Sequence, residues 1–355
     1  MSEENTQRAR RFYISENNFG EPVIGGGGIV SSAGYLDGYW KNKRELTIDS
    51  SLIDDTLTDF PVLVKLDSTN ISWNKVDANG SDIRFYSTDE STFYQYEIVS
   101  WDVAGNNAEI WVKIPSISSS EDTTFDMLYN NTDNPAGSDF AGSVWDADYL
   151  LVWHLEGNYN DSTNNNYSGA NQGATAIQGG KIGSAYNFDG VNDYGELTNT
   201  IDPDDYSGLT IEGWWYARKY DGWDYKSFGW GETTGFGIIG VGLRDSDTRR
   251  WVIGGDNDYD EAINLNQWYH TVLRTNRTTD YLFIDGIEKD THTPSKAMPF
   301  SDNDFRIGNV RGELDRPISG TLDEIRISKV YRSNAWIKAS FNAAAGSLIS
   351  YGGEV

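Results

Sequence analysis

The sequence contains no cysteine, which excludes disulfide staples, a thiolate nucleophile and any Cys-based zinc or iron–sulfur site. Stability therefore has to come from packing. Long apolar runs are also missing. No stretch of about 18 apolar residues occurs that could cross a bilayer as a helix. The opening Met1-Ser2-Glu3-Glu4-Asn5-Thr6-Gln7-Arg8-Ala9-Arg10-Arg11 lacks the apolar segment of a secretory leader. From the residues given, neither membrane insertion nor a leader is expected. Positive charge is scarce: 28 Lys and Arg face 54 Asp and Glu, for a net charge of −26. No basic stripe compensates locally, so phosphate backbones are repelled and nucleic acid is not an expected partner. The acidity fits solubility, calcium binding or both.

What is present is enough to build cores. The chain is 38% hydrophobic and 14% aromatic, with 37 glycines to supply turns. At 355 residues it is too long for one ordinary sandwich, because single cores stop growing near about 250 residues. Two domains are expected, behind an extended N-terminal arm. Residues 1–34 read as that arm, ending in the linker Gly25-Gly26-Gly27-Gly28. From Trp40 onward, short runs with near period-2 alternation follow one another, as in Phe60-Pro61-Val62-Leu63-Val64-Lys65-Leu66 and Ile110-Trp111-Val112-Lys113-Ile114. The turn-rich interval 130–139 interrupts this rhythm, which puts the division at 143: residues 35–143 form one β-sandwich and residues 144–355 a second. The one helical turn expected is short, near Ser333–Ile337. The fold class is all-β, two sandwiches in tandem.

Several stretches of the second domain occur in a telling order. Trp153-His154-Leu155-Glu156 precedes a polar loop at Asp161–Asn166, then come Phe188-Asp189-Gly190-Val191-Asn192-Asp193-Tyr194 and Trp268-Tyr269-His270. A hairpin, Leu282-Phe283-Ile284-Asp285-Gly286, and the closing Leu322-Asp323-Glu324-Ile325-Arg326-Ile327-Ser328 complete the set. In this order they resemble the laminin-G-like jelly-rolls of the concanavalin A superfamily over residues 149 to about 348. Asp285-Gly286 has a local reason as well, since a type I′ turn needs positive φ at both central residues. Residues 39–148 resemble an uncharacterised β-rich domain found beside such jelly-rolls, on Tyr39-Trp40, Asp59–Val64, Ser81–Phe85 and Ile110–Pro115.

The resemblance implies a lectin-like binding or structural module. Some jelly-rolls of this superfamily hydrolyse glycans with two carboxyl groups about 5 to 5.5 Å apart. The nearest spelling here, Glu313-Leu314-Asp315, has no second glutamate at the required step, and Pro317 would disturb a central strand. These are read as loop carboxylates. His154, His270 and His292 are read as packing or surface residues. The expected protein is therefore not an enzyme.

Calcium is the expected ion, because hard oxygen ligands abound and soft ones are absent. Related jelly-rolls often carry such a site, and Asp161, Asp189, Asp193 and Asp323 are its candidate ligands. For glycans or a host-surface polysaccharide the candidates are Tyr220, Trp223, Asp224 and Tyr225, where rings that can stack on a sugar interleave with carboxylates. Arg8, Arg10 and Arg11 with Phe12, Tyr13 and Ile14 are candidates for docking the arm on a protein assembly, a capsid or tail. A homo-oligomer is compatible but not specified. The expected setting is a virion surface, as a phage capsid-decoration or tail-associated protein. The alternatives are a secreted or cell-surface adhesin fragment of a bacterium or archaeon, and then a glycan-degrading enzyme.

Overall fold

The computed structural model describes residues 14–16, 22–24, 38–131, 140–218, 225–230, 239–243, 248–253, 257–262, 264–293, 305–309 and 317–355. The described part is β-rich throughout, arranged as two sandwiches. Within the N-terminal arm, Ile14–Glu16 pairs antiparallel with Pro22–Ile24. The arm's glycine linker and Arg8, Arg10, Arg11, Phe12 and Tyr13 lie outside the described residues, and for Ile14 only the backbone is described.

The first sandwich packs a three-stranded sheet on a five-stranded one. In the smaller sheet, Asn107–Ile117 lies between Leu57–Leu66 and Tyr96–Asp102. The run Phe60–Leu66 is buried on both faces, with only Lys65 partly exposed, which places this sheet between two layers rather than at the surface. In the larger sheet, Trp40–Ile48 pairs with Thr123–Asn131 on one side. Its other neighbour is the last strand of the chain, Ile349–Glu354. Glu354 anchors that strand: its carboxylate accepts from Asn42 at 2.9 Å and Ser72 at 2.8 Å, and also from Lys75 and Tyr129. A division at 143 assigns this segment to the second domain. Its hydrogen bonds put it in the first, because a sheet edge accepts whichever strand reaches it, however distant in sequence.

The second sandwich faces an eight-stranded sheet against a seven-stranded one. Trp153, Phe188, Trp215, Trp230, Leu282 and Ile325 are among the fully or nearly fully buried side chains between them. Asp285 (φ 52°) and Gly286 (φ 76°) both take the left-handed conformation expected of the hairpin at Leu282–Gly286. The short helical turn expected near Ser333 is a twelve-residue helix, Asn334–Ala345. Ser333 Oγ caps its start by accepting from the Trp336 N–H at 3.1 Å, and Gly346 ends it at φ 77°. This helix lies between the sandwiches. Ile337 packs on Val272 and Phe283 of the eight-stranded sheet, while Phe60 of the first sandwich meets Trp336 edge-on at 4.8 Å. A single apolar cluster runs from Val62 and Trp111 through Trp145 and Val152 to Trp214 and Ala339, so it spans both sandwiches.

Candidate functional site

The outer face of the eight-stranded sheet carries an unusual set of ionisable groups. On strand Leu209–Ala217, Ile211 and Trp215 point into the core, so Glu212 and Trp214 point outward. Glu212 stands opposite Arg326 of strand Ser319–Ser328, and Trp214 opposite Asp323, leaving one extra residue on the second strand. That residue belongs to a β-bulge at Glu324, which adopts φ 51°. Leu322 and Ile325 stay in the core, and two consecutive carboxylates, Asp323 and Glu324, are left between them. The sequence signal was there: a polar pair between two apolar residues breaks the period of two.

These groups form a buried chain that crosses between the domains. His154 Nδ1 lies 2.7 Å from Glu324 Oε1, and His154 Nε2 lies 3.2 Å from Glu97 Oε2 of the first sandwich. Glu97 also accepts from Trp145 Nε1 at 2.7 Å and from Ser162 Oγ at 2.6 Å. On the other side, Arg326 pairs with Glu324 and lies 3.7 Å from Glu212 Oε1, whose second oxygen is 3.1 Å from His270 Nε2. The Arg326 guanidinium is 4.3 Å from the Trp111 ring of the first sandwich and 4.9 Å from the Trp145 ring. Thus His154 and His270 do more than pack: each is held by a carboxylate.

Electrostatics follow from this geometry. Burial by itself would depress the His154 imidazole, but the charges of Glu324 and Glu97 outweigh it and raise the group to about 10. Burial opposes ionisation of Glu324 and Glu212 as well. His154 and Arg326 nevertheless hold Glu324 below the ordinary range, and His270 with Arg326 does the same for Glu212. Asp323 moves the other way, raised by burial and then by the charge of Glu324. Glu212 and Glu324 are thus carboxylates on one sheet face, but they are 6% and 1% exposed and already committed to cations.

The outer face of the seven-stranded sheet differs. On strand Tyr194–Leu197, Leu197 points into the core while Tyr194 and Glu196 are half-buried on the outside. The Arg306 guanidinium, on the neighbouring strand Phe305–Ile307, is 4.9 Å from the Tyr194 ring and 3.3 Å from Glu196. Gln172 Nε2 donates to the same Glu196 carboxylate at 3.1 Å. Ring, guanidinium, carboxylate and amide therefore share one partly exposed patch.

The residues singled out from the sequence fall in separate places. Asp161 Oδ1 accepts from the backbone N–H groups of Val152 (3.1 Å) and Thr163 (3.0 Å), and Oδ2 accepts from Tyr167 N–H at 2.8 Å. Asp189 accepts from Val191 N–H at 2.8 Å, and Asp193 from Asp189 N–H at 2.9 Å. Asp323 Oδ2 accepts from the N–H groups of Lys181 (2.7 Å) and Ile182 (2.9 Å). Asp161, Asp189 and Asp193 thus organise backbone near themselves, whereas Asp323 holds a loop 142 residues earlier in the chain. Among the described residues no group of three or more His, Asp or Glu side chains is placed to hold a metal ion, so the four are not gathered into one site. Tyr220, Trp223 and Asp224 lie outside the described residues, as do Glu313 and Asp315. Tyr225 opens strand Tyr225–Trp230, which pairs with Phe305–Ile307 in the seven-stranded sheet, and its side chain is not described.

Two antiparallel sheets facing each other across one apolar core, with short hairpins and a bulged closing strand, define the second sandwich as a jelly-roll. Residues 189–338 match the concanavalin A-like lectin/glucanases superfamily. Residues 79–148 match a domain of unknown function, DUF2341. No curated protein matches the chain. Similar solved structures include domain 4 of AbnA, an extracellular arabinanase from Geobacillus stearothermophilus, in complex with arabinotriose. It is 18% identical with a TM-score of 0.45, and the match covers 55% of this chain and 98% of that one. The binding domain of Paraclostridial Mosquitocidal Protein 1 is 14% identical with a TM-score of 0.43, covering 55% of this chain and 52% of that one. Trypanosoma rangeli sialidase is 14% identical with a TM-score of 0.46, covering 72% of this chain and 43% of that one.

Proposed function

We propose that the chain is a non-catalytic saccharide-binding module that uses the outer face of its seven-stranded sheet. The observation that supports this reading is the contrast between the two sheet faces. Glycoside hydrolysis needs two carboxyl groups facing the substrate. Glu212 and Glu324, on the eight-stranded sheet, are instead sealed beneath the first sandwich and held by His154, His270 and Arg326. The outer face of the seven-stranded sheet carries a ring, a guanidinium, a carboxylate and an amide, the mixture of apolar platform and oriented polar groups that suits a sugar. The superfamily that residues 189–338 match, named for lectins as well as glucanases, supports the same reading.

The setting we propose is the surface of a particle, a virion first and a cell surface second, with the N-terminal arm as the attachment segment. Its support is the basic cluster Arg8, Arg10 and Arg11 in a chain of net charge −26. Deleting residues 1–34 is expected to abolish incorporation into the particle while both sandwiches stay folded.

Binding is tested by titrating a panel of neutral oligosaccharides into the full chain. At least one is expected to bind, and Tyr194→Ala and Arg306→Ala are each expected to weaken it about tenfold or more, about 1.4 kcal/mol, without changing the melting temperature by more than a few degrees. Reducing-end release from the same panel that disappears in Glu212→Gln would overturn the non-catalytic reading. Saccharide binding unchanged in both surface variants would overturn the choice of face.

A further inference from the structure

Each sheet of the second sandwich has one charged edge and one uncharged edge. The charged edges are Asn257–Ala262 of the seven-stranded sheet, with Asp258, Asp260 and Glu261, and Ile287–His292 of the eight-stranded sheet, with Glu288, Lys289 and Asp290. Each of them also pairs with its neighbour through a shifted register. Charges and bulges are the devices that keep an exposed edge from pairing with another chain.

The opposite edges have neither device. They are Gly169–Gln172 and Thr175–Gln178, and only Gly173 and Ala174 separate them, so the two run down one side of the sandwich as a single strip. Residues 162–180 hold no charged side chain, in a chain that is 23% charged. Both strands keep unbroken antiparallel register with their inner neighbours, Tyr194–Leu197 and Ser184–Asp189. Asn171, Gln172, Thr175, Ala176 and Gln178 are exposed. Among the described residues no strand pairs with the far side of Thr175–Gln178, so its outward N–H and C=O groups are left to water.

We propose that this strip is the contact through which two copies of the chain form a dimer, Thr175–Gln178 pairing antiparallel with itself across a two-fold axis and extending the eight-stranded sheet into its mate. An axis normal to the sheet brings the same edge of both copies together and keeps the core and outer faces of each on the same side. Ala176 stands opposite Tyr186, a core residue, so Thr175 and Ile177 face outward. A register centred on Ile177 sets that side chain against its own counterpart, an apolar cross-strand pair. The occupant follows from charge. Two copies of net charge −26 repel, so they can meet only where charge is absent, whereas a basic partner would be drawn to the acidic surface instead. The strip contains neither Tyr194 nor Arg306 and stands independently of the saccharide-binding reading.

Sedimentation velocity on the full chain tests the contact. A monomer–dimer equilibrium is expected, strengthening at least tenfold between about 0.01 M and about 1 M salt as the screening length falls from about 30 Å to about 3 Å and the repulsion between copies fades. Thr175→Lys combined with Ile177→Lys, both at outward positions, is expected to leave the chain monomeric at either salt with its melting temperature unchanged. The absence of cysteine supplies a second measurement. Residues directly opposite in antiparallel strands have Cα atoms about 4.5 to 5.5 Å apart, within disulfide reach, so Ile177→Cys is expected to give a covalent dimer on mild oxidation. Thr291→Cys, on the charged edge, is expected to stay unlinked. A chain that remains monomeric at about 1 M salt overturns the proposal, and an edge that takes up an extended peptide of another protein would give that result. A dimer that survives both lysines, or that fails to link through Ile177→Cys, overturns it as well.

Discussion

The two sheets of the second sandwich share one apolar core and present opposite outer faces. The eight-stranded sheet turns Glu212, Trp214, Glu324, Arg326 and His270 outward, and the first sandwich and the helix Asn334–Ala345 cover them. The seven-stranded sheet turns Tyr194, Glu196 and Arg306 outward, and these remain partly exposed. Both faces combine aromatic rings with charges, and both strand sets alternate in the same way. What separates them is solvent. An Arg–Glu contact at the surface contributes about 0 to 1 kcal/mol, whereas breaking a buried pair by removing one partner costs about 3 to 5 kcal/mol. A carboxylate-rich sheet face is therefore evidence of a joint or of a binding surface only after its cover is known.

The strongest way to break this comparison is to take away the closing strand. Deleting residues 349–355 leaves the edge of Trp40–Ile48 unpaired and removes the Glu354 carboxylate from Asn42, Ser72, Lys75 and Tyr129. Loss of that ladder and its side-chain bonds is expected to cost roughly 5 kcal/mol or more, at about 1 kcal/mol per bond. Circular dichroism melting should show the first sandwich unfolding well below the parent. A truncated chain that melts with the parent would mean that the last strand is dispensable.

Next in size is the contrast between a covered and an uncovered ion pair. Glu97→Ala leaves His154 with Glu324 alone and takes the acceptor from Trp145 Nε1 and Ser162 Oγ, so about 3 kcal/mol should be lost in denaturant titration. Glu196→Ala, on the open face, should change stability by no more than about 1 kcal/mol. Equal effects of the two substitutions would erase the distinction between the faces.

The smallest expected effect is on pH dependence. His154 has a folded-state pKa of about 10, above its ordinary 6.5, so its contribution is complete below pH 6.5 and is lost as pH rises through 10. Raised Asp323 adds a cost of the same sign as pH rises through its own titration. Glu324 and Glu212, depressed below 4.5, act in the opposite direction: their contributions are present above that value and are lost as pH falls through the folded-state values. The joint should thus be tightest between about pH 4.5 and 6.5 and lose on the order of a few kcal/mol toward pH 10. His154→Gln should flatten the alkaline limb in a series of denaturation curves. An alkaline limb unchanged by that substitution would remove His154 from the account.

Much of the architecture was legible beforehand, and particular residues show why. Alternation in Leu209–Trp215 and Trp268–Val272 predicts strands, and each lies within one, as does Leu322–Ile327 despite the polar pair that interrupts its period. The helix was less visible. Its sequence, Asn-Ala-Trp-Ile-Lys-Ala-Ser-Phe-Asn-Ala-Ala-Ala, is buried on several sides by small residues, so it has no clean polar face to betray the period of 3.6. The saccharide candidates Tyr220, Trp223, Asp224 and Tyr225 form a cluster local in sequence. The Tyr194, Glu196 and Arg306 patch is assembled across strands and has no local signature.

The sequence by itself determined the class of the protein: all-β, stapled by packing because it has no cysteine, with a concanavalin A-like second domain behind a β-rich first one. Those properties are written in local periodicity, composition and short turns, each readable within a few residues. Tertiary structure alone decided that Glu97, His154 and Glu324 meet, that the central strands of the eight-stranded sheet are covered on both faces, and that the last strand completes the first sandwich. His154 and Glu324 are 170 residues apart along the chain. Nothing local selects such a partner; the choice is made by which desolvated charges can be satisfied together once the two sandwiches dock.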